Sequence, residues 1–418
     1  MNLYYVPQKA FRGLSPKEVA RACRINALFL VTFAGKGHLG SSLSAMEGLM
    51  WAYSYGTVIP SKGHDTPAHY AIMHSIGKLC DGDLFELRRG LPAHPEVPLF
   101  PCNTGSLGMG LSKAMGMIGN RLVVTCGDGE LQEGQFWEAA RFGPRPGLKL
   151  LIDWNGWQQE QETGSILPAY TVMDMLETLG WSTYLCEGHS FRDLQRAEKY
   201  DAIIAHTTKG KGISFMEDNY RWHFGAPNGL EYEQALRDLR AGDFDCRVVP
   251  FEPTPSGSNG LIAAYGLALR DAFAINKNLM ALDADTMKDH ALLGFPYQDR
   301  LYEVGISEQH MVSLASGMAL SGFLPICHSY AAFLVRRAAD QIANQVLEGT
   351  KVIYVASSAG RLPANGPGPS HEELHDAEIM RYLGVENIYT PKSPREVAKN
   401  LGDAISGSGS AYIRLEAI

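Results

Sequence analysis

Long apolar runs, paired cysteines and concentrated positive charge are all missing from this 418-residue chain. Each absence removes a class of function. No apolar stretch reaches the roughly 20 residues that a membrane-spanning helix needs. The N-terminus, Met1-Asn2-Leu3-Tyr4-Tyr5, lacks the basic-then-apolar layout of a secretory leader, so a cytoplasmic protein with no membrane partner is expected. The 7 cysteines are odd in number and form no Cys-x-x-Cys pair, which argues for reduced thiols and against a zinc site. Cys126 and Cys327 lie in apolar runs and read as small core residues. Acidic residues outnumber basic ones by 45 to 37, and there is no long basic run, so no nucleic-acid partner is expected.

What is present is an α/β pattern. Short β-branched runs alternate with longer helical stretches on both sides of a Pro- and Gly/Ser-rich segment, 247–260. That segment reads as a linker between a domain over 1–246 and a second over 261–418. Each domain is expected to be a parallel sheet flanked by helices. In the first, helices are predicted over 18–31, 44–55 and from the Gly-rich turn near 104 to 119, and strands over 122–126, 148–153 and 202–206. In the second, helices are predicted over 261–273 and 309–320, and strands over 280–283, 301–304, 324–327 and 351–356.

The most informative stretch is Gly127-Asp128-Gly129-Glu130-Leu131-Gln132-Glu133-Gly134, followed downstream by Asp153-Trp154-Asn155. Two apolar strands thus each end on an oxygen donor. A carboxylate with an amide or backbone carbonyl suits Mg²⁺ or Ca²⁺ when phosphate oxygens complete the shell. Flanking glycines let the backbone approach a phosphate. A bare Gly-Asp-Gly is usually an ordinary strand–turn–helix; the extension and the distal Asn155 argue for more.

Further pieces follow in order: Gly37-His38-Leu39-Gly40-Ser41-Ser42, Ser61-Lys62-Gly63-His64, His94-Pro95-Glu96, Thr104-Gly105-Ser106-Leu107-Gly108-Met109-Gly110, Lys209-Gly210-Lys211-Gly212 and Trp222-His223-Phe224-Gly225. After the linker come Tyr302-Glu303-Val304-Gly305-Ile306-Ser307-Glu308-Gln309-His310, Ser329-Tyr330-Ala331-Ala332-Phe333 and Gly368-Pro369-Ser370-His371. Together they resemble the transketolase family of thiamine diphosphate enzymes, in a short form without its C-terminal domain.

The resemblance implies two thiamine diphosphate-binding-type domains and two-carbon ketol transfer from a ketose to an aldehyde. It places Asp128, Asn155 and a main-chain oxygen of Trp157 on the metal. His64, Gly105, Ser106, Leu107, Gly129, Glu130, Asn155, Asp285, Tyr330 and Phe333 would contact the cofactor, with Tyr330 and Phe333 stacked on its pyrimidine. Glu308 would face the N1′ atom of that ring, in an apolar setting, and drive formation of the reactive carbanion. His38, His94, His223 and His371 would join it as catalytic residues. Glu133 would lie near a subunit interface. The implied assembly is an obligate homodimer sharing two sites, with a separate subunit as one way to replace the absent domain.

Two departures bear on substrate. Tyr265 and Ser358 stand where the family clamps a sugar phosphate with arginine and histidine, leaving Arg414 as the one matching guanidinium. Asn365-Gly366-Pro367 precedes His371 where a carboxylate is usual. The expected substrate is therefore not a standard sugar phosphate. A 2-oxo acid-decarboxylating acyl transferase, similar to deoxyxylulose phosphate synthase, and an inactive cofactor-binding subunit are the alternatives.

Overall fold

A computed structural model describes residues 1–87, 99–117, 119, 121–159, 161–251, 260–362 and 368–416. They form two compact units that divide between residues 251 and 260. The first unit holds β1 (Asn2–Tyr5), β2 (Thr57–Pro60), β3 (Leu122–Gly127), β4 (Leu148–Trp154), β5 (Thr183–Glu187), β6 (Ala202–His206) and β7 (Arg247–Pro250). Five of these make a sheet in the order β2-β3-β4-β6-β5. Every pairing in it is parallel. β3 is buried at all six positions, as a parallel strand covered on both faces must be. Its side chains alternate between two cores. Leu122, Val124 and Cys126 pack with Phe136 and Trp181 on one face, and Val123 packs with Trp51 and Ile203 on the other.

The helix Pro16–Ala34 covers the predicted 18–31 and extends beyond it for local reasons. Ser15 caps its first turn in a box with Glu18, Pro16 starts it, and Gly35 ends it at φ 76. The helix predicted over 44–55 is Met46–Tyr55, and a separate short helix, Leu39–Ser44, precedes it. The small-residue helix expected from 104 is confined to Gly110–Gly116. Close packing explains the late start: a Cβ on Gly110 would lie 2.3 Å from Ser61 Cβ.

The first residues of the expected linker are in fact β7, paired antiparallel to β1 from Asn2↔Pro250 to Tyr5↔Arg247. The paired Val248-Val249 explains this, and Pro250 at the strand end is tolerated there. The remainder of that linker, 252–259, lies outside the described residues.

The second unit holds β8 (Leu279–Asp283), β9 (Leu301–Glu303), β10 (Leu324–Tyr330), β11 (Ile353–Ala359), β12 (Asn387–Tyr389) and β13 (Ala411–Glu416). Their order is β12-β13-β11-β10-β8-β9, again wholly parallel. The helix Glu308–Leu320 follows β9 directly. Parallel α/β sheets present their ligand-binding loops at the carboxyl ends of the strands. Asp128 and Asn155 follow β3 and β4; Asp285, Glu308 and Tyr330 stand at the ends of β8, β9 and β10.

Candidate active-site elements in two units

In the first unit, β3 and β4 run in register to Gly127↔Asp153, so the residues that follow them emerge side by side. Asp128 is buried. Its Oδ1 accepts from Gly129 N at 2.9 Å and its Oδ2 from Gly156 N at 2.7 Å. Burial, reinforced by the Asp153 carboxylate and opposed by Lys62 and Lys209, pushes the Asp128 carboxyl up to about 6. Asp153 is compensated far better. Lys62 Nζ donates to it at 2.6 Å, Ser44 Oγ at 2.7 Å and Thr207 Oγ1 at 2.6 Å. Despite its burial, these contacts hold it below the usual carboxylate range. Asn155 donates Nδ2 to Asp153 at 3.2 Å, and its Oδ1 accepts from Trp157 N at 3.2 Å.

A buried, under-compensated carboxylate beside an amide oxygen is a donor set for a hard divalent cation. The residues present thus fit the metal that the motif implied. Gly127 lies against Lys62, whose Cδ would be 2.6 Å from an added Cβ, so the turn approaches the lysine as only glycine can. Gly105, Ser106 and Leu107 lie in the irregular stretch before the helix Gly110–Gly116. Glu130 is a buried brace for that stretch. It accepts from the Ser61 hydroxyl, from Gly108 N at 2.8 Å and from Gly127 N at 3.3 Å, and burial raises its pKa.

Three histidines from separate segments meet in the same unit. His38 and His64 stack at 3.8 Å with 6° between their planes. His223 stands edge-on to both, at 5.2 and 5.1 Å. One ring nitrogen from each of the three lies within 4.8 Å of the other two. Lys209, fully buried, donates to Trp157 O at 3.0 Å and Gln158 O at 3.1 Å, and its Nζ lies 2.9 Å from His223 Nδ1. His94 lies outside the described residues.

In the second unit Glu308 is 2% exposed at the start of its helix. The expected apolar setting is corrected by the structure: Arg337 Nη1 lies 3.1 Å from its Oε2, and Ser329 Oγ donates at 3.3 Å. A buried carboxylate is retained by such pairing. Arg337 also stacks over Phe333 at 4.4 Å, and Phe333 packs edge-on to His371 at 4.7 Å. Tyr330 lies 5.8 Å from Phe333 and donates its hydroxyl to Asp289 at 2.5 Å. Glu308, Tyr330, Phe333 and His371 are thus brought together through Arg337 and ring contacts.

Asp285 adopts a left-handed φ of 60. Its backbone N–H donates to Glu303 Oε1 at 2.9 Å. Burial and the Asp285 charge raise Glu303 to about 8. Arg414 is engaged by Asp376 in a two-point pair at 2.7 and 2.8 Å.

The pyrimidine-binding domain of transketolase matches residues 260–417 as a family. Mouse transketolase is 30% identical over 477 residues, covering 99% of this chain and 76% of the mouse protein. The chain belongs to the transketolase family. That membership implies thiamine diphosphate and a divalent metal. Human transketolase is similar to the same degree, at 30% over 481 residues, with 99% and 76% covered. A 1-deoxy-D-xylulose-5-phosphate synthase of Myxococcus xanthus is 25% identical, covering 96% of this chain and 72% of the synthase. Among solved structures, transketolase from Campylobacter jejuni aligns with a TM-score of 0.47 and 19% identity, over 96% of this chain and 79% of the other.

Lys62, Asp153, Lys209 and Arg337 take part in these sites and were not singled out from sequence. Lys62 and Lys209 stood inside quoted motifs, and Asp153 directly precedes Trp154-Asn155, so their signal was position. Arg337 carried none, because its partner Glu308 is 29 residues away.

Proposed function

We propose that this transketolase-family chain transfers a two-carbon ketol unit from a ketose-type donor to an aldehyde acceptor, as a cytoplasmic homodimer, with Mg²⁺ or Ca²⁺ and thiamine diphosphate. Bound thiamine diphosphate supplies a nucleophilic carbon that adds to a carbonyl. Asp128, Asn155 and the Trp157 carbonyl would hold the metal. Gly105, Ser106, Leu107, Gly129, Glu130 and His64 would contact the cofactor, and Asp285, Tyr330 and Phe333 would complete its cradle. Glu308 would exchange a proton with the pyrimidine nitrogen. His38, His94, His223 and His371 would bind and protonate substrate oxygens.

The observation that carries this reading is Glu308: a carboxylate buried at a helix start, beside an aromatic cluster, with Ser329 and Arg337 holding it. The substrate is proposed not to be a standard sugar phosphate. Arg414, the guanidinium aligned with a phosphate clamp, is taken by Asp376, and Tyr265 is buried with its hydroxyl 2.7 Å from His328 Nε2. The 25% identity to a deoxyxylulose phosphate synthase supports a second reading, acyl transfer from a 2-oxo acid.

The test is exchange of the cofactor C2 proton in deuterated buffer, followed by donor assays. Acceleration that collapses in Glu308→Ala is expected; no acceleration over free cofactor would favour the inactive subunit. Turnover of xylulose 5-phosphate with ribose 5-phosphate at ordinary transketolase rates would reject the substrate claim. CO₂ release from pyruvate would select the second reading.

A further inference from the structure

Between the helix Met46–Tyr55 and strands β3, β4 and β6 lies a small cavity of about 10 Å³. That is close to the smallest volume that admits one water molecule. An apolar cavity of this size stays dry, but this one is not apolar. Asp65, Thr125, Asp153 and Thr207 line it, and all four are buried.

Their polar atoms are unevenly served. Among the described residues, neither Asp65 oxygen accepts a hydrogen bond, and the Thr125 hydroxyl makes none. Lys62 Nζ stands 3.5 Å from Asp65 Oδ2, and His69 Nε2 stands 3.3 Å from Asp65 Oδ1, so charge is near but no donor is aligned. A carboxylate that is 1% exposed is poorly satisfied in that state. Asp153 Oδ1 accepts from Thr207 Oγ1 at 2.6 Å and has a second lone pair.

These needs are complementary. The two carboxylates take donors, and the Thr125 hydroxyl has a proton to give. One water molecule donates twice and accepts once, which is the usual number of hydrogen bonds for a buried water. The rival occupant is a monovalent cation. It would serve the carboxylates but leave the Thr125 proton without an acceptor, and it would sit beside the Lys62 ammonium, already 2.6 Å from Asp153.

We propose that this cavity is a binding site for one water molecule, held by Asp65, Asp153 and Thr125, which joins Asp65 to the Asp153 group. The water completes a run of polar contacts across the unit. Tyr53, a half-buried side chain, places its hydroxyl 3.0 Å from His69 Nδ1. His69 Nε2 faces Asp65, the water links Asp65 to Asp153, and Asp153 accepts from Asn155 Nδ2 at 3.2 Å. The site itself does not depend on the function proposed above.

The test is a high-resolution crystal structure of the full chain, with a second crystal soaked in thallium(I), an anomalous scatterer that substitutes for potassium. A peak of water weight is expected within about 2.5–3.0 Å of an Asp65 oxygen and of the Thr125 hydroxyl, with no thallium signal there. A thallium peak in the cavity would make it a cation site and overturn the proposal, as would a cavity without density. Thr125→Val keeps the shape and removes the hydroxyl, and is expected to lose the peak; a peak retained at full occupancy overturns the assignment of Thr125. In solution, oxygen-17 relaxation dispersion should count one fewer long-lived internal water in the same variant, and an unchanged count rejects the site. A protein that shows the water yet fails every donor assay would keep this site and reject the functional reading alone.

Discussion

The two units each hold a pair of acidic side chains, buried or half-buried, near the carboxyl edge of a parallel sheet, and they settle the repulsion differently. In the first, Asp153 takes a lysine at 2.6 Å and is held low, while Asp128 is left high, at about 6. In the second, backbone N–H groups of Asp285 and Gly305 hold Glu303 Oε1 at 2.9 and 2.8 Å, and burial with the Asp285 charge raises Glu303 to about 8. The first arrangement concentrates an unmet negative charge at one point, which suits a cation. The second favours the protonated acid. Unequal compensation of like charges is therefore what distinguishes a candidate cation seat from a raised carboxyl group built on a similar sheet.

The strongest way to break this contrast is at the seat itself. Asp128→Ala is expected to weaken Mg²⁺-dependent cofactor binding by more than about 100-fold, since even indirect neighbours of a metal typically cost about 10–100-fold. Calorimetric titration of the cofactor with and without the ion reads it, and an unchanged affinity would show that the seat lies elsewhere.

Next is the lysine. Lys62→Met leaves Asp153 buried without its ammonium and is expected to cost about 3–5 kcal/mol in urea unfolding. Arg337→Met likewise takes the cation from a buried carboxylate and is expected to cost a similar amount, about 3–5 kcal/mol. A loss under about 1 kcal/mol in either variant would show that water reaches that carboxylate once its cation is gone.

The raised Glu303 carboxyl predicts a pH signature. Glu303 has a folded pKa raised above its unfolded value of 4.5. Its contribution is thus fully present below about pH 4.5 and is lost as pH rises through about 8. Across that window it lowers stability by roughly 1.4 kcal/mol per pH unit. Relative to wild type, Glu303→Gln should gain stability steadily from pH 5 to 8. A difference that stays flat would mean that Glu303 is ionised throughout.

The smallest effects lie outside both sites. Ser15 and Ser393 cap helices in the first and second unit, each accepting from the backbone N–H of a glutamate. Either serine changed to alanine should cost about 1 kcal/mol, which sets the scale against which the site variants are judged.

Much of the fold was legible because its signals are local. Leu122-Val123-Val124 and Lys351-Val352-Ile353-Tyr354 read as strands since consecutive β-branched and apolar residues suit a sheet covered on both faces. Misreadings came where packing overrode local pattern. The Gly-rich stretch from 104 delays its helix because Gly110 must pass Ser61, and 247–250 joins a sheet because a partner strand, β1, waits at the other end of the unit's chain. Among site residues, Asp128, Asn155, His38, His64, His223 and Glu308 were visible as motif members. Lys209 was visible only as part of a Lys-Gly-Lys-Gly run, and Arg337 not at all.

By itself the sequence determined which residue types end each strand, because donor atoms and turn-permitting glycines are properties of adjacent positions. Only the tertiary structure decided how each buried charge is met. Compensation falls off with distance in space, and the partners that supply it, Lys62 for Asp153 and Arg337 for Glu308, come from other helices and loops.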